Sequence, residues 1–162
     1  MGIGWSELVS VLIGAAATGG LGIYDRRSER LHRRRSLTNV ARAHAKFLTG
    51  FIRQQCYEDD AKKVVVASRS PDWDGSLLIV DAAGDYLSGI KECALAAGEL
   101  DADVAAKVIE FSHRAQLFLD STKADGPFLE SATLDEKRSH AQEAATNIKE
   151  LLQVGEALIE PQ

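Results

Sequence analysis

An uncharged apolar run that ends at a block of arginines limits the environments in which this chain can fold. Residues 8–24 contain 17 amino acids without a charged side chain. The next block of cationic side chains consists of Arg26, Arg27, Arg30, Arg33, Arg34 and Arg35. A helix that is apolar on every face requires an apolar environment on every side. The run must therefore be buried in lipid or in protein.

The length of the run fits a lipid bilayer. As an α-helix, 17 residues extend about 25 Å, against roughly 30 Å for the hydrocarbon core. Trp5 and Tyr24 lie 19 residues apart, about 28 Å along a helix, and such aromatic rings favour the two membrane interfaces. Glu7 is the only charge before the run, so the positive-inside rule places the N-terminus outside. We predict a single-pass protein of the plasma (inner) membrane, with a transmembrane anchor at residues 1–24 and the bulk of the chain cytoplasmic.

Three other interpretations of this segment remain open from the sequence. A cleaved secretory signal would use the small residues 15–17 as its cleavage motif, although no positive charge precedes the run. A helix buried in a soluble protein would have to accommodate four glycines between residues 14 and 22, which lipid tolerates better than water. N-myristoylation at Gly2 fits the acceptor pattern, but an inserted helix would make the lipid redundant.

Small residues recur at four-residue spacing within the run, at Gly14, Thr18 and Gly22. Such a face allows two membrane helices to approach closely. The spacing predicts packing of the anchor against a second copy, and hence a homodimer. A weakly selected anchor would also be rich in small residues.

The net charge of −5 conceals a strong separation of charge along the chain. Residues 25–53 contain nine basic and two acidic side chains, whereas residues 54–162 contain ten basic and 21 acidic ones. We interpret residues 25–39 as a basic juxtamembrane stalk whose arginines face the anionic headgroups of the bilayer. The alternative is that they only set topology. Nucleic acid is not an expected partner, because no aromatic residues are interleaved with the arginines.

Residues 40–162 predict an all-α domain, an antiparallel cytoplasmic four-helix bundle of the coiled-coil-like type. The first expected helix includes the stalk and covers residues 25–67. The other three cover residues 76–98, a segment from Asp101 to the Gly-Pro turn at 126–127, and a segment from Thr133 to Pro161. Asp101 is a typical N-cap residue. Thr133 and Glu136 have the spacing of a capping box.

Each predicted helix carries an apolar stripe at four-three spacing. The first comprises Leu37, Ala41, His44, Leu48 and Phe51. The second comprises Ile79, Ala83, Tyr86, Ile90, Cys93 and Ala97. The third comprises Val104, Val108, Phe111, Ala115 and Phe118. The fourth comprises Ala141, Ala145, Ile148, Leu152, Gly155 and Ile159. These stripes predict the core of the bundle.

Glu110 and His113 have the Glu-x-x-His spacing of di-iron bundles. They project away from the apolar stripe of their helix, so we expect a solvated pair and no metal site. His44 lies on a core stripe and is expected to be a hydrogen-bonded core residue. Asp81 and Asp85 are one turn apart and are expected at a solvent-facing edge.

The remaining reactive and aromatic residues have simple interpretations. Cys56 and Cys93 lack metal-site or disulfide spacing and indicate free thiols in a reducing compartment. Trp73, in a loop marked by Ser-Pro and Asp-Gly, is expected to close the end of the bundle rather than to bind a partner.

The sequence contains no phosphate-binding loop, dinucleotide fingerprint, nucleophile elbow or zinc-protease motif. We therefore predict neither an enzyme nor a cofactor, but a membrane-tethered helical interaction or scaffold module with an unidentified protein partner. One alternative is a small membrane-active or channel-like protein whose glycine-rich span oligomerises. Another is an enzyme with a site in the bundle core around His44, Tyr86 and Cys93.

Overall fold

A computed structural model describes residues 5–80, 87–123 and 132–160, with side chains from residue 28 onward. The regular secondary structure of the described residues is entirely helical, with no strand, as the sequence predicts. The α-helices are α1 (Trp5–Gln54), α2 (Tyr57–Ala67), α3 (Ser88–Leu95), α4 (Ala102–Thr122) and α5 (Leu134–Ile159), and a 3₁₀-helix covers Ala97–Glu99. The chain divides into two compact units, Met1–Ser36 and Leu37–Gln162.

The first predicted helix, residues 25–67, differs from its prediction, because it is interrupted between α1 and α2. Cys56 adopts a left-handed backbone conformation with φ of 57°. Its N–H donates to the carbonyl of Arg53 at 3.0 Å, and its carbonyl accepts from the N–H of Asp60 at 3.0 Å, which begins α2. No glycine or proline marks this break, so the sequence gives no local signal for it. Gly50, by contrast, lies within continuous α1.

The second predicted helix, residues 76–98, is wrong over its first part. Residues 73–80 are not helical, residues 81–86 lie outside the described residues, and the helix α3 begins at Ser88. The side chain of Asp74 accepts hydrogen bonds from the backbone N–H and the hydroxyl of Ser76, at 2.9 and 2.6 Å. Gly75 between them has φ of 82°. This local turn competes with helix formation where the stripe pattern alone favoured a helix.

The predicted stripe of the second helix is therefore only partly buried. Ile90, Cys93 and Ala97 belong to the core, but Ile79 is 50% exposed. The backbone of Val80 bonds this segment to α4, because its N–H donates to the carbonyl of Thr122 at 2.8 Å. The non-helical segment thus satisfies one of the carbonyls that α4 leaves unpaired at its C-terminus.

The third and fourth predicted helices are confirmed as α4 and α5. Asp101 occupies the N-cap of α4. The capping box of α5 is complete: Glu136 donates its N–H to the Thr133 hydroxyl at 3.3 Å, and its carboxylate accepts from the Thr133 N–H at 2.7 Å. The third stripe is buried from Val108 to Phe118. On α5 the buried face is rotated slightly, toward Ala144, Leu151 and Leu158.

Helix α5 runs antiparallel to its neighbours within the C-terminal unit. Arg42 of α1 donates to the carbonyl of Leu158 near the end of α5, at 3.1 Å. Ser68, which follows α2, accepts from Arg138 near the start of α5, at 2.9 Å. On α4, Lys107 donates to the carbonyl of Ala157 at 3.0 Å. These cations from neighbouring helices satisfy C-terminal carbonyls and fix the register of the bundle.

The core lies where α1, α4 and α5 converge. Its largest fully buried side chains include Phe111, Phe118, Ile52, Ile148 and Leu151. At Gly155 of α5, an added Cβ would overlap the methyl group of Thr49 and lie 2.9 Å from Cε2 of Phe111. The absence of a side chain therefore permits the closest approach of the three helices.

Candidate functional site

The arginine block is the first candidate site, and it lies in the N-terminal unit. Arg30, Arg33 and Arg35 are exposed and Arg34 is half-buried, whereas the side chains of Arg26 and Arg27 lie outside the described residues. The exposed cations lie at different angles around α1 rather than on one stripe. The segment thus presents positive charge on several sides of the helix.

The predicted membrane segment falls on residues whose side chains are not described. Residues 1–4 lie outside the description, and Gly14, Thr18 and Gly22 lie in the helical backbone of α1. Within the part of the chain that was described, no helix is long and apolar enough to cross a membrane.

The Glu-x-x-His pair of α4 faces solvent. Glu110 and His113 are both exposed, on the face opposite the core stripe. Across residues 5–80, 87–123 and 132–160, no group of three or more His, Cys, Asp and Glu side chains is arranged to hold a metal ion.

His44 and Cys93 both contribute to the packing of α1 and α3 into the C-terminal unit. The imidazole of His44 is half-buried and lies directly against Gly89, so that an added Cβ there would overlap its ring. Cys93 is buried, and burial raises the pKa of its thiol, with the charge of Glu92 adding to the effect. A raised thiol pKa disfavours the thiolate that nucleophilic chemistry requires. Tyr86, the third residue of the suggested core site, lies outside the described residues.

The other predicted site residues have structural environments. Trp73 is only 8% exposed, which confirms that it packs against the fold rather than standing in solvent. Cys56 is an exposed free thiol. Asp81 and Asp85 lie outside the described residues.

A small, partly open cavity lies between α2, the 73–80 segment, α4 and α5. Its volume is about 10 Å³, and its lining includes Ala61, Leu78, Ala141 and His140. The ring of His140 lies within hydrogen-bond distance of the Ser121 carbonyl, at 2.8 Å between Nε2 and O. A space of this size holds at most one water molecule, so it is not a substrate site.

A larger open cavity, which we call the α2–α5 groove, runs along the outer side of these two antiparallel helices. Its volume is about 630 Å³, and its charged lining residues are Glu58, Lys62, Arg69, Lys149 and Glu150. Sequence reasoning missed this groove. The sequence predicts one continuous helix over residues 25–67, and only the pairing of α2 with α5 brings these charges together.

Comparison with known proteins assigns no function. No protein-family model matches the chain, and neither the curated proteins nor the solved structures give a significant match.

Proposed function

We propose that the protein is a membrane-tethered helical interaction or scaffold module, anchored by residues 1–24 with its N-terminus outside. Its helical C-terminal unit is then presented in the cytoplasm. The observation that carries this proposal is the run of 17 uncharged residues, followed by six arginines within residues 26–35. This order matches the pattern of a membrane anchor and its cytoplasmic flank.

The electrostatics of the arginine block support the same proposal. Each arginine near an anionic leaflet contributes on the order of 1 kcal/mol to binding, and salt screens this contribution. The C-terminal half of the chain is strongly acidic, so the arginine block is the part of the molecule that an anionic membrane would attract. The anchor supplies insertion and the arginines supply orientation.

The packing of the C-terminal unit supports a binding role rather than catalysis. Of the two cavities described above, the smaller admits at most a water molecule, and the larger is an open groove. Small-molecule sites are usually concave and enclose most of the ligand. An open groove between two helices is better suited to a macromolecular partner.

Flotation of the purified full-length protein with liposomes tests the tether. We expect the protein to float with both neutral and anionic liposomes and to stay bound after an alkaline carbonate wash, because an inserted helix does not depend on charge. A variant lacking residues 1–24 should float only with anionic liposomes and should dissociate in high salt. Loss of the full-length protein in the carbonate wash would show that residues 1–24 are not inserted.

A further inference from the structure

The α2–α5 groove carries an uncompensated positive charge on an otherwise acidic domain. Both of its carboxylates are already paired within the protein: Glu58 with Lys62 at 2.7 Å, and Glu150 with Arg114 of α4. Among the described side chains, neither Arg69 nor Lys149 forms an ion pair. Residues 54–162 contain 21 acidic side chains against ten basic ones, so two unpaired cations in one groove stand out from their surroundings.

The dimensions of the groove define what it can hold. Its lining extends from Glu58 on α2 to Arg69, two residues past the end of that helix, and from Gln142 to Gln153 on α5. Eleven residues of helix correspond to about 16 Å, or three turns. Because the two helices are antiparallel, Arg69 lies at the Gln142 end, and Lys149 lies about 10 Å further along α5.

The uncharged lining adds both apolar and hydrogen-bonding surface. Val65 and Ala145 face the groove from the two helices, and Gln142, Thr146 and Gln153 offer amide and hydroxyl groups. Helical domains recognise amphipathic helices in grooves of this kind. The apolar side chains of the bound helix enter the groove, and its charged side chains lie at the edges.

We propose that the α2–α5 groove binds an acidic amphipathic helix of a partner protein. The helix places a small apolar stripe against Val65 and Ala145, and two carboxylates about two turns apart contact Arg69 and Lys149. This assignment names the kind of partner that the proposed interaction module binds, and to that extent the inference rests on the proposed function.

The test uses full-length protein in detergent micelles and a fluorescent helical peptide of about 14 residues, long enough to fill three turns. The peptide carries leucine on one stripe and two glutamates seven residues apart. A second peptide has glutamine in place of both glutamates. Fluorescence anisotropy measures the Kd of each peptide.

We expect the acidic peptide to bind, and its Kd to rise about tenfold in the double variant Arg69→Ala/Lys149→Ala, since each surface ion pair contributes modestly. The matched control Lys46→Ala/Lys91→Ala removes the same charge from exposed positions on α1 and α3 and should leave the Kd unchanged. The conservative double variant Arg69→Lys/Lys149→Arg should retain binding, which separates a charge effect from misfolding.

Several outcomes would overturn the proposal. The acidic peptide would fail to bind, or it would bind the groove variant as tightly as the control variant. The glutamine peptide would bind as tightly as the acidic one. Inorganic phosphate at millimolar concentration would displace the peptide, or a second copy of the chain would occupy the groove. None of them affects flotation with liposomes, so failure of the groove assignment and failure of the tether are distinguishable.

Discussion

At the scale of single residues, two glycines in α-helices have opposite roles. Gly155 lies where Thr49 and Phe111 approach the backbone of α5, and it is buried. Gly50 is exposed on α1, and an added Cβ would meet no atom within 4 Å. The sequence placed Gly155 on a core stripe, but only the structure distinguishes a required glycine from a replaceable one.

We predict opposite stability changes for the same substitution at these two sites. Gly155→Ala forces Thr49 and Phe111 apart and should lower the free energy of unfolding by about 1–2 kcal/mol, after the gain in helix propensity is included. Gly50→Ala should raise it by about 0.5–1 kcal/mol, because alanine reduces the entropy of the unfolded chain without a clash. Urea denaturation monitored by circular dichroism gives both values. Equal effects at the two sites would refute the proposed packing at Gly155.

At the scale of helices, the sequence predicted helices correctly where capping motifs and apolar stripes were clear. It failed where a turn interrupts an apolar stripe or has no glycine or proline to mark it. The capping box at Thr133 and the apolar stripe of α4 are both present in the structure. The break at Cys56 has no glycine or proline to mark it, and it requires a left-handed residue that sequence patterns do not favour. Residues 76–80 of the second predicted helix are not helical, because the hydrogen bonds to the Asp74 side chain and the positive φ of Gly75 form a turn there in spite of the apolar stripe.

The capping box of α5 makes a pH-dependent contribution to stability. The hydrogen bond from the backbone of Thr133 lowers the pKa of the Glu136 carboxyl below its usual range. A carboxyl with a lower pKa in the folded state stabilises the fold above its unfolded pKa, and this stabilisation is lost as the pH falls through the folded pKa. The box should therefore contribute fully at pH 7 and less in acid, once the pH falls through the folded pKa of Glu136.

We predict that Thr133→Ala lowers the free energy of unfolding by about 1 kcal/mol at neutral pH. The difference from wild type should shrink on acidification, because the protonated Glu136 no longer acts as a strong acceptor. Thr146→Ala, in the same helix, removes a hydroxyl that donates to the Gln142 carbonyl, and it serves as the control. Urea titrations at both pH values compare the two variants. A Thr133→Ala effect that is as large in acid as at neutral pH would contradict this explanation.

At the scale of the whole molecule, charge separation and helical content could be derived from the sequence, whereas the α2–α5 groove could not. The all-helical class follows from apolar periodicity and few prolines. The groove depends on how α2 pairs with α5, which is a non-local property. Arg69 and Lys149 are distant in sequence, and their proximity to a common surface follows only from the antiparallel register.

The central claim, insertion of residues 1–24 with the C-terminal unit in the cytoplasm, can be tested with the native thiols. Cys56 is exposed and Cys93 is buried, so a membrane-impermeant maleimide should report on Cys56 alone, with Cys56→Ser as the unlabelled control. The full chain is labelled in sealed vesicles of both orientations. The membranes are washed with alkaline carbonate only after the labelling. We predict labelling in inverted vesicles and protection in right-side-out vesicles. Labelling in right-side-out vesicles, or recovery of the protein in the wash, would contradict the claim.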